Sequence, residues 1–319
     1  MIADARLPEI PLIVQLDRTS MGGFDIPRPV APHRWQEHDF TDPADVIARL
    51  AGAQVAIINK VRMDAATLAA LPDLKLIAVT ATGTDVVDSA AAKAQGIAVR
   101  NVVGYAGTSV AEHVIMLIFA LVRGLIPHRD AVIDGTWEHG KLFCVFAAPV
   151  RDLAGLRLGL FGSGAIAQAV AERARALGLE VVFAGRRGEA PGAGKLGFDE
   201  VLATSDIISL HCPLTEETRH LLKDETLAAM KPGAIIINTA RGALIDLDAL
   251  ETALASGHIG GAGLDVAPIE PPPPGAPILR LAKRPDVIVT PHAAWSSQQA
   301  IATLAQRTGD NIADFLAGR

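Results

Sequence analysis

The stretch LRLGLFGSGAIAQAVAERARAL, residues 156–177, sets a glycine-rich turn between an apolar strand (Leu156 to Phe161) and an Ala-rich helix (Ile166 to Leu177). The turn Gly162-Ser163-Gly164-Ala165-Ile166-Ala167 has the form G-x-G-x-x-A in the strand–turn–helix setting that gives the pattern its meaning. The first glycine permits a tight turn, the second lets a pyrophosphate reach the backbone, and small Ala167 allows close helix–strand packing. Free N–H groups at the helix start then attract the phosphate charge. A strand–helix turn of any α/β domain would use similar residues; the flanking elements favour a dinucleotide.

An acid at the end of the next strand normally bonds the ribose 2′-hydroxyl of NAD(H). Here that strand is EVVFAG, residues 180–185, and Gly185 takes the acid's place, followed by Arg186 and Arg187. Without the carboxylate a 2′-phosphate meets no repulsion, and two guanidiniums offer it fork-shaped donors. The local chemistry predicts NADP(H) as the preferred cofactor and NAD(H) as the alternative. The same arginines would also suit a solvated turn.

Working outward, short apolar runs alternate with helical stretches almost throughout. Strands are expected at 11–16, 54–58, 76–80, 97–100, 156–161, 180–183, 207–211, 234–238, 260–264 and 287–290. Helices are expected at 45–50, 64–71, 85–95, 166–177, 223–230, 247–256 and 296–316. Continuous apolar strands spaced by helices predict parallel sheets covered on both faces, in two doubly wound α/β units. Tyr105 to Leu125 reads as one long helix, with Thr108 or Ser109 as N-cap and Gly124 as its exit. Residues 126–152 show no period and read as an irregular arm.

The 319 residues are 50% hydrophobic, so real cores can form. The apolar run Val114 to Val122 is far shorter than the roughly 20 residues a spanning helix needs. A net charge of −6 has the wrong sign for a nucleic-acid or anionic-membrane partner. Two cysteines, Cys144 and Cys212, exclude a disulfide framework, and the first residues lack a secretory pattern. Together these predict a cytoplasmic globular protein.

Three later strand ends carry polar residues: Asn238-Thr239-Ala240-Arg241-Gly242, the Asp265 to Glu270 part of GLDVAPIEP, and Pro291-His292-Ala293-Ala294-Trp295. In open α/β sheets ligands bind at the carboxyl ends of strands. With these residues in place, the chain resembles the D-isomer-specific 2-hydroxyacid dehydrogenase family. The resemblance runs from ALPDLKLIAVTATGTDVVD through SVAEH, the glycine turn, HCPLTEETRHL, MKPGAIIINTARG and GLDV to TPHAAW. Within the family, INKV, FCVFAAPVRDL and HAAW look most like the glycerate dehydrogenase/hydroxypyruvate (glyoxylate) reductase branch.

The resemblance implies a catalytic trio of Arg241, Glu270 and His292. Reduction of a 2-keto acid needs a hydride on the carbonyl carbon and a proton on its oxygen. Protonated His292 can give that proton, Glu270 would favour the imidazolium and orient the ring, and Arg241 can clamp the substrate carboxylate. No metal is needed. Each residue also has a plainer reading: a structural histidine, a rim carboxylate, or an arginine that caps a helix or pairs with Asp246.

Carried over by resemblance, Thr82 and Gly83 offer backbone N–H groups to the substrate carboxylate. Lys60 is a further anion contact or a solvated lysine, and Trp295 walls the substrate pocket or fills a domain interface. Cys212 and Pro213 line the adenosine, Thr218, Thr239 and Ala240 the cofactor's middle, and Asp265 the nicotinamide amide. Cys212 has no adjacent base and reads as packing; His113 reads as structural.

The family's arrangement implies a flavodoxin-like substrate domain, residues 1–104 plus 292–319. A Rossmann cofactor domain with a dimerisation helix and arm, residues 105–291, is inserted into it, and the likeness implies a homodimer. The expected activity is reduction of glyoxylate or hydroxypyruvate. A dehydrogenase of bulkier 2-keto acids and a non-catalytic nucleotide-sensing module are the alternatives.

Overall fold

The computed structural model describes residues 10–319, and the chain forms two compact units: Met1–Ala106 with Ser296–Arg319, and Gly107–Trp295. In the first, strands β1 (Leu12–Gln15), β2 (Arg34–Glu37), β3 (Val55–Ile58), β4 (Leu76–Val79) and β5 (Ala98–Arg100) alternate with helices α1 (Val46–Leu50), α2 (Ala65–Ala69) and α3 (Ser89–Ala94). The strands are all parallel, in the order β2-β1-β3-β4-β5, which is the flavodoxin-like order. β1, β3 and β4 are buried along their whole length, so their apolar runs are unbroken. Asp64 and Asp88 start α2 and α3 by accepting the N–H of Thr67 and Ala91. β2 was not expected: its sequence RWQE is a polar edge strand with no apolar run to announce it.

The second unit begins with α4 (Gly107–Val122) and α5 (Leu125–Ile133). This corrects the expected single helix from Tyr105 to Leu125. The helix starts at Gly107, so neither Thr108 nor Ser109 is its cap; the Ser109 hydroxyl donates instead to the Ala294 carbonyl at 2.7 Å. Gly124, in the left-handed region (φ +60°), breaks the chain between α4 and α5. α5 also replaces part of the expected irregular arm. Its Leu125, Val132 and Ile133 are exposed while Ala131 is buried, so it lacks an apolar stripe to read, and Pro127 sits in the first turn where its missing N–H costs nothing.

There follow β6 (Arg157–Phe161), α6 (Ala165–Ala176), β7 (Glu180–Phe183), α7 (Phe198–Thr204), β8 (Ile207–Leu210), α8 (Asp224–Ala228), β9 (Ala234–Asn238), α9 (Leu247–Ala255), β10 (Ile259–Leu264), α10 (Pro277–Leu281) and β11 (Val287–Val289). All six strands are parallel, in the order β11-β10-β9-β8-β6-β7. One face is covered by α4 and α6 through Val114, Leu117, Ile118, Val170 and Ala174. The other is covered by α7 to α10 through Val201, Leu202, Leu227, Leu250 and Ile278. α7 and α10 were not expected; both are short. α11 (Gln298–Leu316) returns to the first unit, capped by the Ser297 side chain and burying Ile301, Leu304 and Ile312.

No single helix among the described residues is long and apolar enough to cross a membrane. α4 and α5 reach that length only together, across a 61° bend.

Just past β8, half-buried His211 has its Nε2 2.9 Å from Ser209 Oγ; loss of solvent around the ring pushes its pKa down to about 4. The folded state then binds fewer protons than the unfolded chain between pH 6.5 and 4. Stability from this group is whole above pH 6.5 and is lost as pH falls through that window. Urea unfolding of the wild type should lose about 2 kcal/mol more across this window than unfolding of His211→Gln. Parallel losses would show that the imidazole titrates freely when folded.

Candidate active site

The glycine turn leaves β6 at Gly162 with φ +114°. A Cβ there would stand 2.7 Å from the carbonyl carbon and oxygen of His211, so only glycine lets the turn lie across the end of β8. Gly164, which opens α6, has nothing within 4 Å of its would-be Cβ and gives the helix no side-chain cap, and the first turn of α6 carries no acid. Ser163, Gly164, Ala165 and Ile166 are exposed, while Ala167 is buried against the sheet. The result is an open, positively polarised cradle for phosphate.

Beside it, Gly185 follows β7. Arg186 is 85% exposed with Glu189 at 3.7 Å, whereas Arg187 pairs with Glu225 at 2.8 Å. After β8, burial pushes the Cys212 thiol up to about 11, so the group is inert. Pro213 and Thr218 belong to one loop, in which the Thr218 hydroxyl donates to the Pro213 carbonyl at 2.8 Å. Thr239 Oγ1, past β9, is buried with no hydrogen-bond partner among the described residues. A buried orphan hydroxyl, the glycine turn and the uncapped helix end fit a dinucleotide.

The ends of β9, β10 and β11 lie side by side. Past β9, buried Asn238 ties down the turn: its Oδ1 accepts the Ala240 N–H at 3.0 Å and its Nδ2 donates to the Arg241 carbonyl at 2.9 Å. Arg241 is exposed, with Nη1 donating to the Ala240 carbonyl. A Cβ on the next residue, Gly242, would stand 2.1 Å from the Ala267 carbonyl carbon, so the Arg241 turn lies directly against the segment that leads to Glu270.

Glu270 Oε1 accepts the Ala267 N–H at 2.9 Å, and Oε2 is 2.6 Å from His292 Nδ1. His292 itself is left-handed, φ +53°. Asp265, 1% exposed, braces that turn: Oδ1 accepts the Thr290 hydroxyl at 2.6 Å and the Ala293 N–H at 2.8 Å, and Oδ2 accepts the Ala294 N–H at 3.0 Å. Its backbone carbonyl accepts the His292 N–H at 2.7 Å. His113 joins from α4, with Nε2 3.0 Å from Thr290 Oγ1; burial lowers its pKa. Half-buried Trp295 closes the segment.

A family model described as D-isomer specific 2-hydroxyacid dehydrogenase, NAD binding domain, matches residues 115–294. The chain belongs to the D-isomer-specific 2-hydroxyacid dehydrogenase family. It is 49% identical to a glycerate dehydrogenase of Methylorubrum extorquens, over 90% of this chain and 91% of that one. It is 36% identical to a hydroxypyruvate reductase of Blautia hydrogenotrophica, covering 87% of each. The crystal structure of a glyoxylate reductase from Paecilomyes thermophila is similar with a TM-score of 0.80, at 26% identity over 97% of this chain and 96% of that one. This 2-hydroxyacid dehydrogenase is therefore an NAD(P)-dependent oxidoreductase.

In the dehydrogenase's first unit, Thr82 and Gly83 follow β4, with the Thr82 hydroxyl donating to the Val102 carbonyl at 3.1 Å. Exposed Lys60 follows β3, and its N–H, with that of Asn59, donates to Asp17 Oδ2. Burial raises the Asp17 pKa against those donors. The sequence reading missed Asp17 and the bracing roles of Asn238 and Asp265. A polar residue directly at a buried strand end was the available signal for all three.

Asp265→Ala strips the acceptor from two backbone N–H groups and a hydroxyl, and is expected to cost about 3 kcal/mol in urea unfolding. Asp265→Asn, which keeps an acceptor oxygen, should lose less. An unchanged midpoint in the alanine variant would show that other contacts hold the His292 turn.

Proposed function

We propose that this dehydrogenase reduces small 2-keto acids, hydroxypyruvate and glyoxylate first, to D-glycerate and glycolate, and prefers NADPH to NADH. The observation that carries this reading is the 2.6 Å contact of His292 Nδ1 with Glu270 Oε2 on strand ends beside the Arg241 turn. When bound, the reduced nicotinamide supplies a hydride to the substrate's carbonyl carbon. His292, held through Nδ1, keeps Nε2 to deliver a proton to the carbonyl oxygen. Glu270 orients the ring and stabilises its positive charge until the proton leaves. Arg241 pairs with the substrate carboxylate and polarises the carbonyl. In the oxidative direction the neutral imidazole takes the hydroxyl proton.

For the dinucleotide, backbone N–H groups from Gly162 to Ile166 would hold the pyrophosphate, and Cys212 with Pro213 the adenosine. Thr218, Thr239 and Ala240 would hold its middle. Asp265 keeps a lone pair on Oδ2 for the carboxamide, since Ala294 occupies only one. Gly185 in place of an acid, with Arg186 and Arg187 next to it, supports the NADPH preference. Thr82, Gly83, Lys60 and Trp295 are the proposed substrate contacts. We assign residues 105–291 to the cofactor domain and the flanking segments to the substrate domain. A cytoplasmic setting suits the free cysteines.

A homodimer is part of the same proposal. Phe143 and Phe146 are 90% and 84% exposed, near exposed Leu142 and Trp137 in sequence, and an apolar arm of this kind suits burial against a second copy. Replacing both phenylalanines with serine should shift the protein towards monomer in light scattering; an unchanged mass would remove the arm from the interface.

A matrix of substrates and cofactors tests the activity. Turnover of hydroxypyruvate and glyoxylate with NADPH should exceed that of phenylpyruvate. Arg241→Ala and His292→Asn should each lower kcat/KM at least about 100-fold. A wild type no faster than Arg241→Ala, or a higher kcat/KM with NADH, would overturn the reading or its cofactor half respectively.

A further inference from the structure

The loop after β7 carries a third cation, Lys195, eight residues after Arg187 and returned to the strand end by the fold. Leu196 comes back along the strand end: its N–H donates to the Phe183 carbonyl at 2.9 Å, and the Gly185 N–H donates to the Leu196 carbonyl at 2.8 Å. Lys195 is thereby set beside Gly185, at the position where an NAD(H) site has its acid. The return also crowds that position, since a Cβ on Gly185 would stand 3.2 Å from Pro191 Cα and 3.3 Å from the Leu196 carbonyl oxygen. Lys195 is half-buried, and its Nζ donates to Ser163 Oγ, inside the glycine turn, at 3.1 Å. No acidic side chain pairs with it among the described residues.

Arg187 differs. Its guanidinium is paired with Glu225 at 2.8 Å and lies 5.8 Å from the Phe198 ring centroid, so a phosphate would have to compete with Glu225 for it. Arg186 is 85% exposed and has only the looser contact with Glu189 at 3.7 Å.

We infer that Lys195 is a specificity-determining residue for the cofactor: with Arg186 and the Ser163 hydroxyl it forms the subsite for the 2′-phosphate, in which Arg187 is secondary. The inference rests on the NADP(H) preference proposed above. An ammonium has three donors; one is on Ser163 and two are left for phosphate oxygens. Ser163, accepting from Lys195, turns its own proton outward as a further donor. Against a neutral 2′-hydroxyl the same ammonium gains little, so its effect falls on NADP(H) alone.

The test is calorimetric binding of NADP+, NAD+, 2′,5′-ADP and 5′-AMP to the full-length wild type and to Lys195→Met, Lys195→Arg and Arg187→Met. Lys195→Met should weaken NADP+ and 2′,5′-ADP about tenfold and leave NAD+ and 5′-AMP within about twofold. Lys195→Arg should restore part of the loss, and Arg187→Met should cost less than Lys195→Met. A wild-type preference for NADP+ that survives Lys195→Met would overturn the assignment of Lys195 alone. Equal wild-type affinities for NADP+ and NAD+ would remove the preference itself, and the subsite with it.

Discussion

Asp265 accepts hydrogen bonds from the Thr290 hydroxyl and from the N–H groups of Ala293 and Ala294, and its own carbonyl accepts from His292. A left-handed backbone at a residue other than glycine costs roughly 1–2 kcal/mol. Charge-assisted bonds, each contributing on the order of 1.5–3 kcal/mol, more than offset it. The Thr290 proton is committed to Asp265, so towards His113 the same hydroxyl accepts. That fixes His113 as the Nε2–H tautomer and agrees with burial keeping its charge low. The chain from α4 through Thr290 to Asp265 thus ends on the turn that aims the His292 ring at Glu270.

The parallel sheet makes that turn useful. Because all six strands of the second unit run one way, every carboxyl end opens on the same edge, and the order β11-β10-β9-β8-β6-β7 sets the imidazole, carboxylate and guanidinium segments on three adjacent strands. The sequence returns to that edge with each strand, so residues far apart along the chain become neighbours there. The reversal of strand order at β6 leaves the crevice where the glycine turn sits, pressed on the end of β8. At this edge Gly162 and Gly242 each stand where backbone meets backbone too closely for a side chain.

Much of this was legible in the sequence where one local rule decides. Unbroken apolar runs marked the buried strands, and the glycine pattern marked the tight turn between β6 and α6. What escaped depended on partners far away in sequence. RWQE forms β2 because β1 offers it a free edge, not because of its own pattern. α5 forms without an apolar stripe. Asp265 and Asn238 look like ligand-facing polar residues until the backbone donors opposite them are seen. Lys195 lies in the glycine- and proline-containing run RRGEAPGAGK, which resembles a loop of no consequence; only the pairing of Leu196 with the end of β7 brings it to Gly185.

Electrostatics explains how a chain of net charge −6 handles anions. Acids near the site are each met by donors: Asp265 by two backbone N–H groups and a hydroxyl, Glu270 by the Ala267 N–H and His292. Hydrogen bonds of this kind hold the carboxylates in fixed positions, turned towards their donors. Around the glycine turn the first turn of α6 holds no acid, His211 is neutral above about pH 4, and the cation Lys195 stands at its rim. The site is therefore locally receptive to anions although the molecule is not. Attraction is short-ranged, set by fixed N–H groups and a few cations, and long-range steering contributes little, since ions screen it within about 8–10 Å. A phosphate bound there would be recognised by fit at the turn, and the sign of the whole protein's charge would have little say in it.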